Sequence, residues 1–180
     1  MKNIIKQLIS FILPITVLII IPLLIEPDYS LKNIPFLLTG IILMFAGLFI
    51  LILTISDFIR TGKGTLAPWS PTKKLIMTGI YGYVRNPMIM GVLIVLAGES
   101  VVFLSLNIFI WTIIFFILNN IFFLIYEEPD LKKRFGDEYR EYKRNVPRWI
   151  PRIKPFRLGE ESINGSRIQE HPGYPFRSLK

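Results

Sequence analysis

Four long apolar runs, parted by polar segments, frame this chain. They cover residues 8–25, 34–55, 88–106 and 108–126. The second is 22 residues without a charge. As a helix it would span roughly 33 Å, enough for the hydrocarbon core of a bilayer. A signal peptide shares the basic start and apolar middle of the first run. That run is longer than a typical signal core, however, and no small-x-small cleavage site follows it. It reads as a membrane helix with Pro14 and Pro22 as kink points. Pro87 suits the first turn of the third run, where its missing N–H is not needed. Ser105-Leu106-Asn107 marks the turn that joins runs three and four into an antiparallel hairpin.

The polar segments carry the rest of the pattern. Residues 56–87 are rich in glycine and proline and too long for a tight connector. They form either a headgroup-level loop anchored by Trp69 or a lid over a site. No GxxxxGK[ST] pattern follows a strand, so a P-loop is excluded. Beyond Glu127, Pro129 fits the first turn of a short helix, and Phe135-Gly136 breaks it. Phe135, Tyr139, Tyr142 and Val146 then share one helical face, predicting a basic amphipathic helix at the membrane interface. From residue 154 the composition predicts a flexible tail. In the second run Gly40, Ala46 and Gly47 offer a small-residue stripe, for close helix contact or simply facing lipid.

The expected fold is therefore an all-α integral membrane protein with about four transmembrane helices and a C-terminal interfacial helix. Two transmembrane helices occupy residues 1–55, a loop 56–87, a helical hairpin with an interfacial segment 88–152, and a tail 153–180.

Composition narrows the chemistry. With 52% hydrophobic residues and a mean hydropathy of +0.49, the chain is too apolar for an ordinary soluble domain of its size. It has no cysteine and a single histidine, His171 in the tail, so thiolate nucleophiles, Cys–His metal centres and Ser-His-Asp triads are excluded. The net charge of +8 is concentrated beside the apolar runs, which fits an anionic membrane surface and not nucleic acid. Lysine plus arginine number two before the first run, one in 26–33, five in 56–87, none in 98–107 and thirteen from 127 onward. This alternation predicts a multi-pass protein of the inner membrane with both termini and the second loop in the cytoplasm.

That topology brings two distant stretches to one membrane face. Arg85-Asn86-Pro87 precedes run three, and Tyr126-Glu127-Glu128-Pro129 follows run four. Arg85 is a fork for carboxylate or phosphate, or else a positive-inside anchor. Of Glu127 and Glu128, one could bind a substrate ammonium or ribose hydroxyls while the other caps the next helix. Glu99 lies roughly 18 Å along its helix from Pro87, where a carboxyl needs a partner or a cavity; Asn119 and Asn120 are candidate partners. Asn120 and Glu127 are seven residues apart and share a helix face, a possible polar groove running into the membrane. Glu99 and Asn120 are thus the candidate substrate-binding residues.

Four segments together carry a resemblance. They are 61–68 (Thr-Gly-Lys-Gly-Thr-Leu-Ala-Pro), 79–88 ending Arg85-Asn86-Pro87-Met88, 126–139 with Glu127-Glu128-Pro129 and Phe135-Gly136-Asp137-Glu138-Tyr139, and 146–151 with Pro147-Arg148-Trp149. Over about residues 62–152 the chain resembles the isoprenylcysteine carboxyl methyltransferase family, which is related to phospholipid N-methyltransferases. The Arg-Asn-Pro form is similar to a bacterial subgroup. The resemblance implies a membrane enzyme that uses S-adenosylmethionine, with its cofactor site at the cytoplasmic end of the last two helices and a lipid-accessible tunnel for substrate. Tyr83, Arg85, Asn86, Pro87, Glu127 and Glu128 would line that site, and Tyr139 and Arg148 would belong to its cover. Arg85 and Glu127 are the implied catalytic residues, Arg85 as the group that orients a substrate carboxylate. The chain departs from the family with Asn86 in place of a common His, Ile89 in place of Tyr, and Ile80-Tyr81-Gly82 in place of Pro-Tyr-Arg.

Methyl transfer suits a chain without core Cys or His, because the sulfonium donor is already activated and alignment does most of the work. The acceptor implied is a carboxylate, amine or hydroxyl of a lipophilic small molecule or lipid-modified substrate. Two other readings compete with it: an NADPH-dependent membrane reductase of the sterol or steroid type, and a non-catalytic protein that binds membrane lipid headgroups.

Overall fold

A computed structural model describes residues 12–31, 33–62 and 75–157. The expectations placed on 63–74, including the Trp69 anchor, and on the tail from 158 lie outside the described residues. Among the described residues the fold is entirely helical. Its elements are α1 (Ile12–Ile25), α2 (Ile34–Gly62), α3 (Pro87–Val102), α4 (Leu106–Phe122) and α5 (Glu128–Asn145). A π-helical turn, Phe123–Glu127, joins α4 to α5 in one continuous helical path. Among the described residues two helices are long and apolar enough to cross a membrane, α2 through its stretch Ile34–Asp57 and the path Leu106–Asn145 through its apolar part. Shorter apolar helices, Ile12–Ile25 and Pro87–Val102, pack beside them. The chain is an all-α membrane protein.

The prolines of α1 act locally. Thr16–Ile20 is wound as a π-helix, and the Ile21 N–H bonds the Thr16 carbonyl, five residues back. In that register the Val17 carbonyl would need an N–H from Pro22, which has none. The Trp111 indole supplies it from α4, Nε1 to Val17 O at 3.2 Å. At the far end of the bundle the Ser105 hydroxyl donates to the buried Glu26 carboxylate and accepts from Ile108 N, capping α4. Asn107 Nδ2 bonds the Ile25 carbonyl at 3.1 Å. These contacts fasten α1 to the α3–α4 hairpin.

The tightest packing is between α2 and α3. Gly40 and Gly47 on α2 face Gly98 and Gly91 on α3, both pairs at seven-residue spacing, so they repeat along an antiparallel seam. A β-carbon on Gly40 would stand 2.6 Å from the Gly98 carbonyl oxygen, and one on Gly47 2.7 Å from that of Gly91. The backbones therefore touch, and neither side can hold a larger residue. Gly40 and Gly47 thus make close helix contact, while Ala46 is exposed on the outer face. Below this seam Leu51, Val92, Val95, Leu96, Val17 and Phe115 form the core of the bundle.

One boundary differs from the sequence expectation and another agrees with it. α2 runs on to Gly62, past the charge-free run, because hydropathy marks where lipid ends and not where the hydrogen-bond ladder ends. The break expected at Phe135-Gly136 is present: two helical segments of α5 meet at Gly136 in a sharp kink (φ 55°, ψ −124°). Positive φ suits glycine, which has no Cβ to clash. The bend matters, since in a straight helix Lys143 would lie roughly 22 Å from Glu128, yet their side chains meet at 2.6 Å. The returning half of α5 buries Tyr139, Tyr142 and Val146 against Phe156, Leu75 and Met77, forming a second core outside the bundle.

The glycine seam is directly testable. Gly98→Leu should destabilise the protein in detergent by about 1–3 kcal/mol or more through overpacking, whereas Ala46→Leu on the exposed face should leave thermal unfolding unchanged.

Candidate functional site

The site is built where the start of α3, the start of α5 and the C-terminal segment converge. Asp57, near the end of α2, accepts a hydrogen bond from Ile80 N at 3.2 Å and fixes the 3-10 turn Gly79–Gly82. Gly79 has φ +61°, and a β-carbon there would collide with the Asp57 carboxylate. From this turn the chain passes Tyr83 and the fully buried Val84 to Arg85. Asn86 is the N-cap of α3, non-helical at φ −122°, ψ 59°, as the following proline demands. Pro87 occupies the first helical position.

The segment after α5 runs alongside this stretch. Arg85 N bonds Pro147 O at 3.0 Å, Arg152 N bonds Tyr83 O at 2.9 Å, and Phe156 N bonds Gly82 O at 2.8 Å. The Tyr142 hydroxyl donates to Tyr81 O at 2.8 Å. Residues 82–85 are thereby held on one side by the tail of the fold and on the other by α2.

Glu128 is the centre of charge. Its carboxylate accepts Arg85 Nη1 at 2.9 Å, Lys143 Nζ at 2.6 Å and Arg148 Nη2. The side chains of Glu128, Arg85 and Arg148 are only 10%, 12% and 14% exposed. Burial alone would raise the Glu128 carboxyl, but the hydrogen bonds from Lys143, Arg148 and Arg85 and the Arg148 charge outweigh it and lower it to about 2. Glu127, next to it, behaves in the opposite way. Burial first, then the Glu128 charge, push its carboxyl up to about 7, with Arg148 opposing. Their surroundings thus shift two adjacent carboxyls in opposite directions.

The Nε–H groups of Arg85 and Arg148 are buried with no acceptor among the described residues. A buried donor without a partner is expensive. Three cations on one carboxylate also leave the site positive. An anionic group seated against both guanidinium edges would satisfy both conditions.

Asn120 extends the site along α4. Its Nδ2 bonds the Phe116 carbonyl at 3.0 Å, which turns Oδ1 outward to accept Arg148 Nη1 at 3.4 Å and Trp149 Nε1 at 3.1 Å. The Trp149 ring packs on Phe116 and Phe123, with centroids 5.1 and 6.1 Å away. Phe116 also ends an apolar groove of about 330 Å³ between α3 and α4, lined by Met90, Leu93, Ile94, Ala97, Thr112 and Ile113. The Thr112 hydroxyl is spent on the Ile108 carbonyl, so the groove wall presents apolar surface.

Of the residues singled out from sequence, Arg85, Glu128, Tyr139, Arg148 and Asn120 are joined in one hydrogen-bonded cluster, with Tyr139 Oη 3.5 Å from Arg85 Nη1. Tyr83, Asn86, Pro87 and Glu127 adjoin it in the chain. Glu99 does not join it. It is half-buried near the other end of α3, within electrostatic range of Tyr29. Asn119 and Asn120, considered as its partners, bond their own helix, and Asn120 also Arg148 and Trp149. An antiparallel hairpin places Glu99 opposite the start of α4, not its end. Sequence reasoning missed Lys143, Trp149 and Asp57. Lys143 lies four residues after Tyr139, so helical spacing would have put it on the same face.

No solved structure matches the chain. An uncharacterized protein of Haemophilus influenzae (strain ATCC 51907 / DSM 11121 / KW20 / Rd) is 50% identical over 38 residues, 21% of this chain. The match spans 60% of that relative's length. The family model for phospholipid methyltransferase matches residues 36–138, more than half of the chain and a span that includes Arg85, Glu127 and Glu128. The chain belongs to the phospholipid methyltransferase family, whose members are membrane methyltransferases.

Proposed function

We propose that the protein transfers a methyl group from S-adenosylmethionine to a lipophilic acceptor, with the reaction centred between Arg85, Glu127 and the C-terminal segment. The observation that carries this reading is the pair of buried, unpartnered Nε–H groups on Arg85 and Arg148, in a cluster whose neighbour Trp149 packs on Phe116 at the wall of an apolar groove. Residues 88–152 act as the catalytic unit, and the site opens on the cytoplasmic face of the inner membrane.

In this reading Arg85 and Arg148 hold the cofactor carboxylate. Tyr83, Asn86 and Pro87 form the floor, Glu128 orients both guanidinium groups, and Tyr139 closes the cover. Bound S-adenosylmethionine supplies an activated methyl sulfonium. The groove between α3 and α4 takes the acceptor's hydrocarbon chain and brings its polar end to Asn120 and Arg148. Glu127, poised near neutral pH, accepts the proton that an ammonium or hydroxyl acceptor must release before its heteroatom attacks. Of the acceptor classes, an amine headgroup makes fullest use of that carboxylate, since a substrate carboxylate would need no base.

Two measurements test the proposal. In calorimetry, S-adenosylmethionine and S-adenosylhomocysteine should bind the purified protein, and Arg85→Ala or Arg148→Ala should weaken binding by roughly 10–100-fold, the worth of a charge-assisted hydrogen bond. Unchanged affinity in both variants, or binding of NADPH instead, would overturn it. The second is pH dependence. As a base, Glu127 should make the rate rise with pH through about 7, and Glu127→Gln should flatten that rise. Stability should move the other way. The folded state holds the Glu127 proton more tightly than the unfolded chain, so its contribution is full below about 4.5 and is lost as pH rises through about 7. Melting temperature should therefore fall over that window in the wild type and fall less in Glu127→Gln.

A further inference from the structure

The segment that follows α5 has an unusual division of its side chains. Arg148, Trp149 and Arg152 are half-buried and Phe156 is buried. Between them Ile150 is 78% exposed and Ile153 is 96% exposed. Single exposed isoleucines are ordinary on a water-facing surface. The position of this segment makes these two different.

Its depth can be read from α4. Trp149 packs its ring between Phe116 and Phe123 and bonds Asn120. Asn120 lies six residues before Tyr126, the last residue of the apolar run, and so about 9 Å inside the end of the span. Phe116 lies one turn deeper. The Trp149 ring therefore sits at a level where the outer surface of α4, with Ile117, Leu118 and Ile121 exposed, meets acyl chains.

A non-helical backbone at that depth is tolerated only when its polar groups are satisfied. Two features reduce the number of unsatisfied groups here. Pro147, Pro151 and Pro155 remove three N–H donors. The Pro147 carbonyl and the Arg152 and Phe156 N–H groups are bonded to Arg85, Tyr83 and Gly82. The arginines turn in, Arg148 to Glu128 and Asn120, while Lys154 is exposed beyond the isoleucines, where it can reach lipid phosphates.

We propose that residues 147–155 form a re-entrant wedge, with Ile150 and Ile153 seated among the acyl chains of the leaflet nearest the site. One flank of the wedge then closes the polar cluster, and the other is held by lipid. The seat of the cover depends on the bilayer as well as on the protein. This inference rests on packing depth, so its test stands apart from any assay of methyl transfer.

The chain contains no cysteine, so single-cysteine spin labelling needs no background changes. Labels are placed at Ile150→Cys and Ile153→Cys, with Glu138→Cys on the exposed face of α5 as the aqueous control, in protein reconstituted into phospholipid nanodiscs. Power saturation is then measured with oxygen, which partitions into lipid, and with a water-soluble nickel chelate. Oxygen collisions should exceed nickel collisions at 150 and 153, and the order should reverse at 138. Nickel access at 150 and 153 equal to that at 138 would overturn the wedge. Hydroxyl-radical footprinting of the unsubstituted protein in the same discs gives an independent reading. Ile153 should be protected despite its exposure, and oxidation of Ile150 and Ile153 at the rate of water-exposed side chains would equally reject the proposal.

Discussion

One carboxylate, Glu128, ties together three parts of the chain that sequence keeps far apart. Arg85 comes from the approach to α3, Lys143 from the returning half of α5, and Arg148 from the segment beyond it. Arg85 and Arg148 would be costly to bury alone, and the carboxylate would be costly to bury without them, while Lys143 joins from the half-exposed side. The two buried arginines and the carboxylate therefore depend on one another. The cluster's position at the junction of the bundle core and the smaller aromatic core explains why both halves of the fold need it.

The glycine seam serves the same end from a distance. By bringing the α2 and α3 backbones into contact, it fixes where α2 delivers Asp57 beneath the Gly79–Gly82 turn. That turn sets the position of Arg85. A packing motif inside the bundle thus governs a charge at its end. The two glutamates divide the electrostatic work. Glu128 stays ionised because it is bonded by cations, and Glu127 holds its proton more tightly because it is buried beside that ionised neighbour. Environment, not residue type, separates a fixed anion from a group able to exchange a proton near neutrality.

Much of this was legible in the chain. Four apolar runs with alternating basic loops carry the helical membrane architecture, and an antiparallel hairpin brings Arg85 to the same end as Glu127-Glu128. What periodicity does not carry is a change of direction. A single glycine at 136 folds α5 back, and only that reversal brings Lys143 and Arg148 onto Glu128. The Gly91 and Gly98 half of the seam was equally hidden, since small residues in an apolar helix look the same facing lipid or a neighbouring backbone. Glu99 drew attention as an acid within a span, but depth along one helix does not say which residues of the next lie opposite. In the antiparallel hairpin it lies opposite the start of α4, away from Asn120.

The account stands on methyl transfer at the end of an apolar groove, and the transferred group itself is the most direct witness. Membranes carrying the wild-type protein, incubated with S-adenosylmethionine bearing a CD3 group and extracted into organic solvent, should yield a lipid-soluble species that carries CD3. Membranes carrying Glu128→Gln should show little of it. If no lipid-soluble species gained the label while the folded wild-type protein bound the cofactor, the groove would not be an acceptor site and the central claim would fail.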